Sequence, residues 1–268
     1  MYRAYRMNLP ILMYHMVKKT LQPEERAKHL SEKTFRRQMR ALARAGYISV
    51  SLPDVRRAFA GEGRLAAKPV VITFDDGYLD NYETAFPILR ETGMTATIFL
   101  PTALLDEKKN NIFNGHPLMS WPQIGEMRRA GISFAAHTAT HPRLTSLAPE
   151  EMAEELRRSR EEIEGRLDGA CEDMAYPYGD FDDRVREEAR RAGYGTACSV
   201  RIGLNHPGDD LLSLKRISIV DADGTRRFLR KVAFGVWDAP MTMVPKYYMG
   251  RAAARVKSLV GSGSGNGR

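Results

Sequence analysis

The stretch Val70-Val71-Ile72-Thr73-Phe74-Asp75-Asp76-Gly77 runs an apolar, β-branched strand straight into two adjacent carboxylates and a glycine. Strand ends are where α/β folds place their chemistry. Side chains alternate along an extended segment, but at a turn two neighbours diverge, so one carboxylate is free to hold a metal ion while the other faces a water. Taken alone, Asp-Asp-Gly is an ordinary solvated turn. Its meaning depends on the rest of the chain.

Downstream, Ser133-Phe134-Ala135-Ala136-His137-Thr138-Ala139-Thr140-His141-Pro142 again follows an apolar run, now with two imidazoles. His-x-x-x-His is one helical turn, or one tight loop beyond a strand, and either brings both rings to one ion. With Asp76 the pair supplies three protein ligands and leaves a position open, which points to catalysis rather than scaffolding. A divalent ion lowers the pKa of water toward neutrality and polarises a carbonyl, and Asp75 is then available as general base. A third stretch, Met174-Ala175-Tyr176-Pro177-Tyr178-Gly179-Asp180, reads as a strand closed by a Pro-aromatic-Gly turn. The fixed backbone at Pro177 would aim the Tyr178 N–H as an oxyanion donor, and aromatic faces would line a sugar-sized groove. Tyr176, Pro177, Tyr178 and Trp121 are the expected substrate contacts.

In their order and spacing, Thr73-Phe74-Asp75-Asp76-Gly77, His137-Thr138-x-x-His141 and Tyr176-Pro177-Tyr178-Gly179 resemble the first three motifs of the polysaccharide deacetylases, the NodB-homology or carbohydrate esterase family 4 enzymes. The resemblance spans roughly residues 9–220. It implies an α/β fold, a single distorted (β/α)7 barrel, and hydrolysis of an N-acetyl or O-acetyl group on a sugar. It also implies one divalent ion on Asp76, His137 and His141, zinc first with cobalt, nickel or manganese as alternatives, and Asp75 as base. Two departures stand out. Family members carry an arginine shortly before the proline of the third motif, where this chain has Asp173-Met174-Ala175. They also carry a late Leu-x-His whose histidine is the general acid, whereas after the third motif this chain has only His206, in a polar loop.

The start of the chain offers the missing acid. Pro10-Ile11-Leu12-Met13-Tyr14-His15 is an apolar strand ending in a histidine, and it is similar to the opening of a permuted branch that includes the poly-N-acetylglucosamine deacetylases. There the acid-bearing strand comes first, so His15 would protonate the leaving amine. Arg216, in a strand-like run, would take the place of the missing arginine beside Asp75, although a plain charge on an edge strand is equally expected there. Other readings are an amidohydrolase of the same fold acting on a non-sugar amide, imide or formamide, and a non-catalytic carbohydrate-binding module.

A chain of 268 residues with 43% hydrophobic content suffices for one large α/β core. No apolar run reaches the length of a transmembrane helix, and residues 1–8 lack the hydrophobic core of a signal peptide, so a cytoplasmic protein is expected, peripheral at the inner face of the membrane if its tail binds lipid. Cys171 and Cys198 read as reduced packing thiols. The chain carries +8 overall, while residues 225–268 hold nine basic residues and one acidic residue, also +8, so residues 1–224 are formally neutral. Two parts are therefore expected: a catalytic domain, 1–224, and a basic, partly amphipathic extension with a flexible end, 225–268. In the extension Arg226, Arg227, Arg230 and Lys231 fall on one helical arc and Phe228, Leu229, Val232, Ala233 and Val236 on the other. That helix either docks on its own domain or, with Trp237, Tyr247 and Tyr248, brings residues 225–257 to an anionic membrane. Nucleic acid is not expected, because nothing but the tail favours it. Elsewhere helices are expected over 32–45, 53–60, 80–91, 123–130, 149–167 and 182–192, and strands over 47–50, 95–100, 132–136 and 194–198. The polar loop 102–120, with Lys108, Lys109, Asn110, Asn111 and His116, is long enough to wall a groove.

Overall fold

The computed structural model describes residues 8–27, 29–105 and 111–236. Its frame is a curled parallel sheet whose main path has seven strands, β1 (Ile11–Tyr14), β2 (Pro69–Phe74), β3 (Thr97–Leu100), β4 (Ser133–Ala136), β5 (Asp173–Ala175), β6 (Thr196–Cys198) and β7 (Ile217–Ser218), with a short eighth, Ile48–Ser49, paired to the start of β2. The spatial order is β6-β5-β4-β3-β2-β1-β7. The last strand lies beside the first, with Leu12 opposite Ile217, and a parallel bridge from Cys198 to Leu214, just upstream of β7, draws the two edges together. This is the distorted (β/α)7 barrel. The register of β1 against β2, from Ile11–Val71 to Tyr14–Phe74, fixes which side chains face inward.

Strand alternation then sorts the apolar residues into two bodies. Ile11, Val71, Phe99, Ala135, Ala175, Cys198 and Leu214 form one with Leu52 and Val55; their alternates Leu12, Ile72, Ile98, Ala136, Met174 and Ala197 join the helical layer in the other. Leu52 and Val55 belong to α2 (Leu52–Phe59), opened by a Ser51/Asp54 capping box. From the same helix Arg56 meets Asp173 at 2.9 Å. The aspartate standing where the family has arginine is thus structural, at the start of β5.

The outer layer is α1 (Glu32–Arg44), α3 (Phe86–Thr92), α4 (Trp121–Arg129), α5 (Pro149–Leu167), α6 (Asp183–Arg191) and α7 (Thr225–Phe234). The helix expected over 80–91 divides: Asn81–Ala85 is a wide π-type turn in which the Phe86 N–H reaches back to the Asn81 carbonyl, and α3 follows. Pro87 explains the division, since it lacks the N–H an α-helical bond would need. α4 begins earlier than expected, at a Ser120/Gln123 capping box. α7 packs with the body that precedes it, in place of the separate extension expected from residue 225: Phe228 and Val232 are fully buried, and Lys231, expected on an exposed basic arc, is buried with Nζ 2.6 Å from Asp223. Trp237, Tyr247, Tyr248 and the rest of 237–268 lie outside the described residues, as do Lys108, Lys109 and Asn110. No helix among the described residues is long and apolar enough to cross a membrane.

Candidate active site

The inward face of β2 reads Val71, Thr73, Asp75. By period two, Asp76 belongs on the outer face. It is turned inward by a positive φ of 74°, after which Gly77 (φ 66°) completes the turn; a Cβ there would sit 2.8 Å from Leu100 Cδ2. On β4 the inward series Ala135–His137 ends in a tight loop, the second of the two geometries the histidine spacing allows. Thr138 (φ 64°) and His141 (φ 62°) are both left-handed, each costing about 1–2 kcal/mol in a non-glycine residue. Glu155 of α5 offsets part of that strain by accepting from the Ala139 and Thr140 N–H groups at 2.9 and 2.8 Å.

Asp76, His137 and His141 converge, all three buried. Asp76 Oδ1 lies 3.6 Å from His137 Nε2 and 3.4 Å from His141 Nε2, and it is a buried oxygen with no hydrogen-bond partner. Tetrahedral ligands about 2.1 Å from an ion stand about 3.4 Å apart, so the spacing fits a small divalent cation. Burial pushes the His137 and His141 pKa values down to about 3 and about 4, which keeps both imidazoles neutral with a lone pair to offer. The His137 Nδ1 sits 2.7 Å from the Ala175 carbonyl, so its N–H points there and Nε2 faces the triad. Burial raises Asp76 to about 6. A cation would supply what this carboxylate lacks.

Asp75 is held differently. Arg216, itself buried, grips it through both oxygens at 2.6 and 2.9 Å and donates from Nε to the Ser199 carbonyl at 2.8 Å. Burial alone would raise the Asp75 pKa; Arg216, with His137 and His15 adding, overrides burial and holds it well below the usual carboxylate range. The closing segment 214–218 carries this arginine, so barrel closure supplies the charge missing from the third motif. His15 Nε2 stands 3.9 Å from Asp75 Oδ2 and is partly exposed, while the Asn81 side chain anchors the His15 carbonyl at 2.8 Å. His206 is elsewhere: its neighbour Asn205 pairs with Leu9 at the start of β1, the opposite end of the barrel.

The third motif divides. Tyr178, left-handed at φ 60°, is exposed, its ring 4.8 Å from His141 and under the Arg143 guanidinium at 4.3 Å. The turn is fixed by bonds from Gly179 N–H to the Tyr176 carbonyl and from Asp180 N–H to the Pro177 carbonyl, neither of which engages the Tyr178 N–H. Tyr176 is corrected. As the outward alternate of Ala175 it is fully buried, stacks on Phe181 at 4.6 Å and donates to the Leu212 carbonyl, so it supports the turn and touches no substrate. Pro177 is buried beneath the same turn. Trp121 faces Arg166 of α5 at 5.2 Å, and its contacts give no support to a substrate-binding role.

Several site residues had no sequence motif to announce them. Tyr78, next after Gly77, sets its hydroxyl close to the Asp76 carboxylate. A hairpin formed by Ile112–Phe113 and His116–Pro117 lays Phe113 against His141 at 5.0 Å and against Tyr78 at 6.3 Å, with His116 edge-on to Tyr78. The long polar loop does wall the site.

Comparison with known proteins agrees with this geometry. The sequence model described as Polysaccharide deacetylase matches residues 62–197. YxkH of Bacillus subtilis (strain 168) is 28% identical over 211 residues, 79% of this chain and 71% of that protein. The poly-beta-1,6-N-acetyl-D-glucosamine N-deacetylase of Escherichia coli (strain K12) is 24% identical over 244 residues, 78% of this chain but 36% of the longer enzyme. Among solved structures, the Streptococcus pyogenes deacetylase PplD in complex with acetate superposes with a TM-score of 0.77 at 29% identity, covering 85% of this chain and 99% of that one. With the family's sequence model matching half of its length and the three motifs meeting at one mouth of the barrel, the chain belongs to the polysaccharide deacetylase family.

Proposed function

We propose that the chain removes the acetyl group from an N-acetylated sugar of a saccharide chain, with a divalent ion, zinc first, held by Asp76, His137 and His141. One observation carries the reading: two adjacent carboxylates sit in opposite environments, Asp76 with an unpartnered oxygen among imidazole nitrogens and Asp75 clamped by Arg216. A divalent ion in such a site polarises an acyl oxygen and makes water a stronger acid. Asp75, ionised throughout the neutral range, accepts the proton that water gives up on attacking the carbonyl carbon, and Arg216 fixes the direction of its oxygens. The Tyr178 N–H and a protonated His15 then face the negative oxygen of the tetrahedral carbon. Collapse breaks the C–N bond, and His15 delivers a proton to the departing amine, leaving acetate and a free amino sugar. The acetate held by the PplD structure is the product such chemistry leaves.

The test is acetate release from N-acetylglucosamine oligomers by zinc-loaded protein. We expect chelator to abolish it and His141→Ala to hold well below one ion per chain, while Asp75→Asn and His15→Ala keep the metal and each lose about 10²–10⁴ in rate. Full metal content in His137→Ala and His141→Ala alike would defeat the ligand assignment. A near wild-type rate in His15→Ala would defeat the proton assignment.

A further inference from the structure

The body of the chain is formally neutral, but α1 is not. Lys33, Arg36, Arg37, Arg40 and Arg44 share that helix with one acidic residue, Glu32. Lys33, Arg37, Arg40 and Arg44 recur at intervals of four, three and four, which is one stripe on a helix of about 3.6 residues per turn. All four are exposed, while Phe35, Met39 and Leu42 turn inward. Glu91 of α3 takes up Arg36 and Arg40, and Glu32 holds Arg36 at 2.8 Å. Lys33, Arg37 and Arg44 make no ion pair with a carboxylate among the described residues; Arg37 reaches only the Thr34 hydroxyl, at 3.4 Å.

This stripe walls a groove of about 510 Å³ together with Lys19 and Glu32. A second cavity, about 280 Å³, is lined by Met16, Lys18, Lys19, Asp80, His116 and their neighbours. Lys19 borders both. His116 also sits on the hairpin over Tyr78 beside the candidate triad, so the smaller cavity, which Glu83 lines as well, stands between that hairpin and the basic stripe. From Lys33 to Arg44 the stripe rises about 16 Å, longer than a single sugar ring.

We propose that the saccharide of the deacetylase reading, on which this inference rests, is an anionic glycan. It leaves the active site past His116 and lies along α1 with its acidic groups against Lys19, Lys33, Arg37 and Arg44. A basic groove that begins near the hairpin over the site suits a polymeric substrate, whereas a bilayer would meet a flat patch. The attraction is between exposed charges, so salt screens it.

The test is binding of a labelled heparosan octasaccharide, alternating glucuronate and N-acetylglucosamine, compared with labelled chitooctaose, its neutral counterpart of equal length. We expect zinc-loaded protein to bind heparosan at least about tenfold more tightly at low ionic strength, with the preference collapsing at a few hundred millimolar salt. Joint substitution Lys33→Glu, Arg37→Glu and Arg44→Glu should erase the preference, leaving chitooctaose binding and acetate release from it unchanged; Lys33→Gln, Arg37→Gln and Arg44→Gln should do the same should charge reversal disturb folding. Equal binding of the two oligosaccharides by the wild type, or a preference that survives both sets of substitutions, would overturn the proposal. Capture by phosphatidylglycerol vesicles through these residues with no heparosan binding would also overturn it, in favour of a lipid surface. Absence of acetate from either oligosaccharide with the binding preference intact would instead remove the deacetylase reading, so the two failures are distinct.

Discussion

Asp75 and Asp76 are covalent neighbours with opposite acid–base character, and the cause is local. One positive φ at Asp76 breaks the alternation that would have sent its carboxylate outward, leaving its Oδ1 buried without a hydrogen-bond partner beside two imidazoles. Asp75 keeps its inward register and meets a guanidinium that closure of the barrel delivers. Removing Arg216 would leave burial as the uppermost influence on Asp75. A base works only when ionised, so activity is lost as pH falls through its pKa, and for the wild type that limb lies in strong acid. In Arg216→Ala the limb of kcat/KM should move up by several pH units, with a stability loss of about 3–5 kcal/mol for an unpaired buried charge; Arg216→Lys should restore part of both. An unshifted acid limb in a folded Arg216→Ala protein would show that the clamp does not set the base. Asp75, Asp76, His137 and His141 were legible in the sequence because carboxylates and histidines at strand ends are rare and their spacing carries meaning. Tyr176 was misread because the motif does not reveal which alternate of the strand it is.

At the scale of elements, the hairpin of residues 112–117 and the turn after β2 act as one clamp. The Tyr78 hydroxyl stands close to the Asp76 carboxylate, and its ring is held by Phe113 and His116. A group that orients a ligand typically supports tenfold to a hundredfold in metal affinity. Tyr78→Phe keeps the ring and its packing and removes only the hydroxyl, so zinc affinity measured by chelator competition should fall about tenfold or more with the melting temperature of the metal-free protein little changed. Unchanged affinity would reduce Tyr78 to packing. No motif announced this: a tyrosine after a glycine and a phenylalanine in a polar loop bear no periodicity, and they meet only because the loop folds back across the barrel mouth. By contrast, α5, with proline at its first position and glutamates in its first turn, was readable to the residue from capping and dipole chemistry.

The whole molecule depends on closure, which the sequence conveyed only in part. The family resemblance predicted a barrel, and helix–glycine–strand units predicted a parallel sheet, but the charge count divided the chain at residue 225, cutting off a helix that packs on the body before it. Composition sees charge and not burial: Lys231 counted toward a basic tail although it lies in the core against Asp223, a residue of the supposedly separate domain. Phe228 and Val232 fill the layer beside α1, and each contributes about 1.5–3 kcal/mol on burial. Ending the chain after Gly224 would remove both and leave the Asp223 carboxylate buried without its ammonium partner, a defect worth a further 3–5 kcal/mol or so. The sum approaches the stability of an ordinary domain. We therefore expect protein truncated after Gly224 to be insoluble or to lack a cooperative thermal transition, and protein truncated after Val236 to melt near the full-length temperature with the same rate of acetate release from a small soluble substrate. Lys231→Met, which takes the ammonium from Asp223 at nearly constant volume and leaves it the Arg227 guanidinium at 3.4 Å, should lower the melting temperature by several degrees; Asp223→Asn with Lys231→Met should recover much of it. A stable, active barrel ending at Gly224 would show that α7 is an appendage after all, free to leave the surface and lay its apolar face elsewhere.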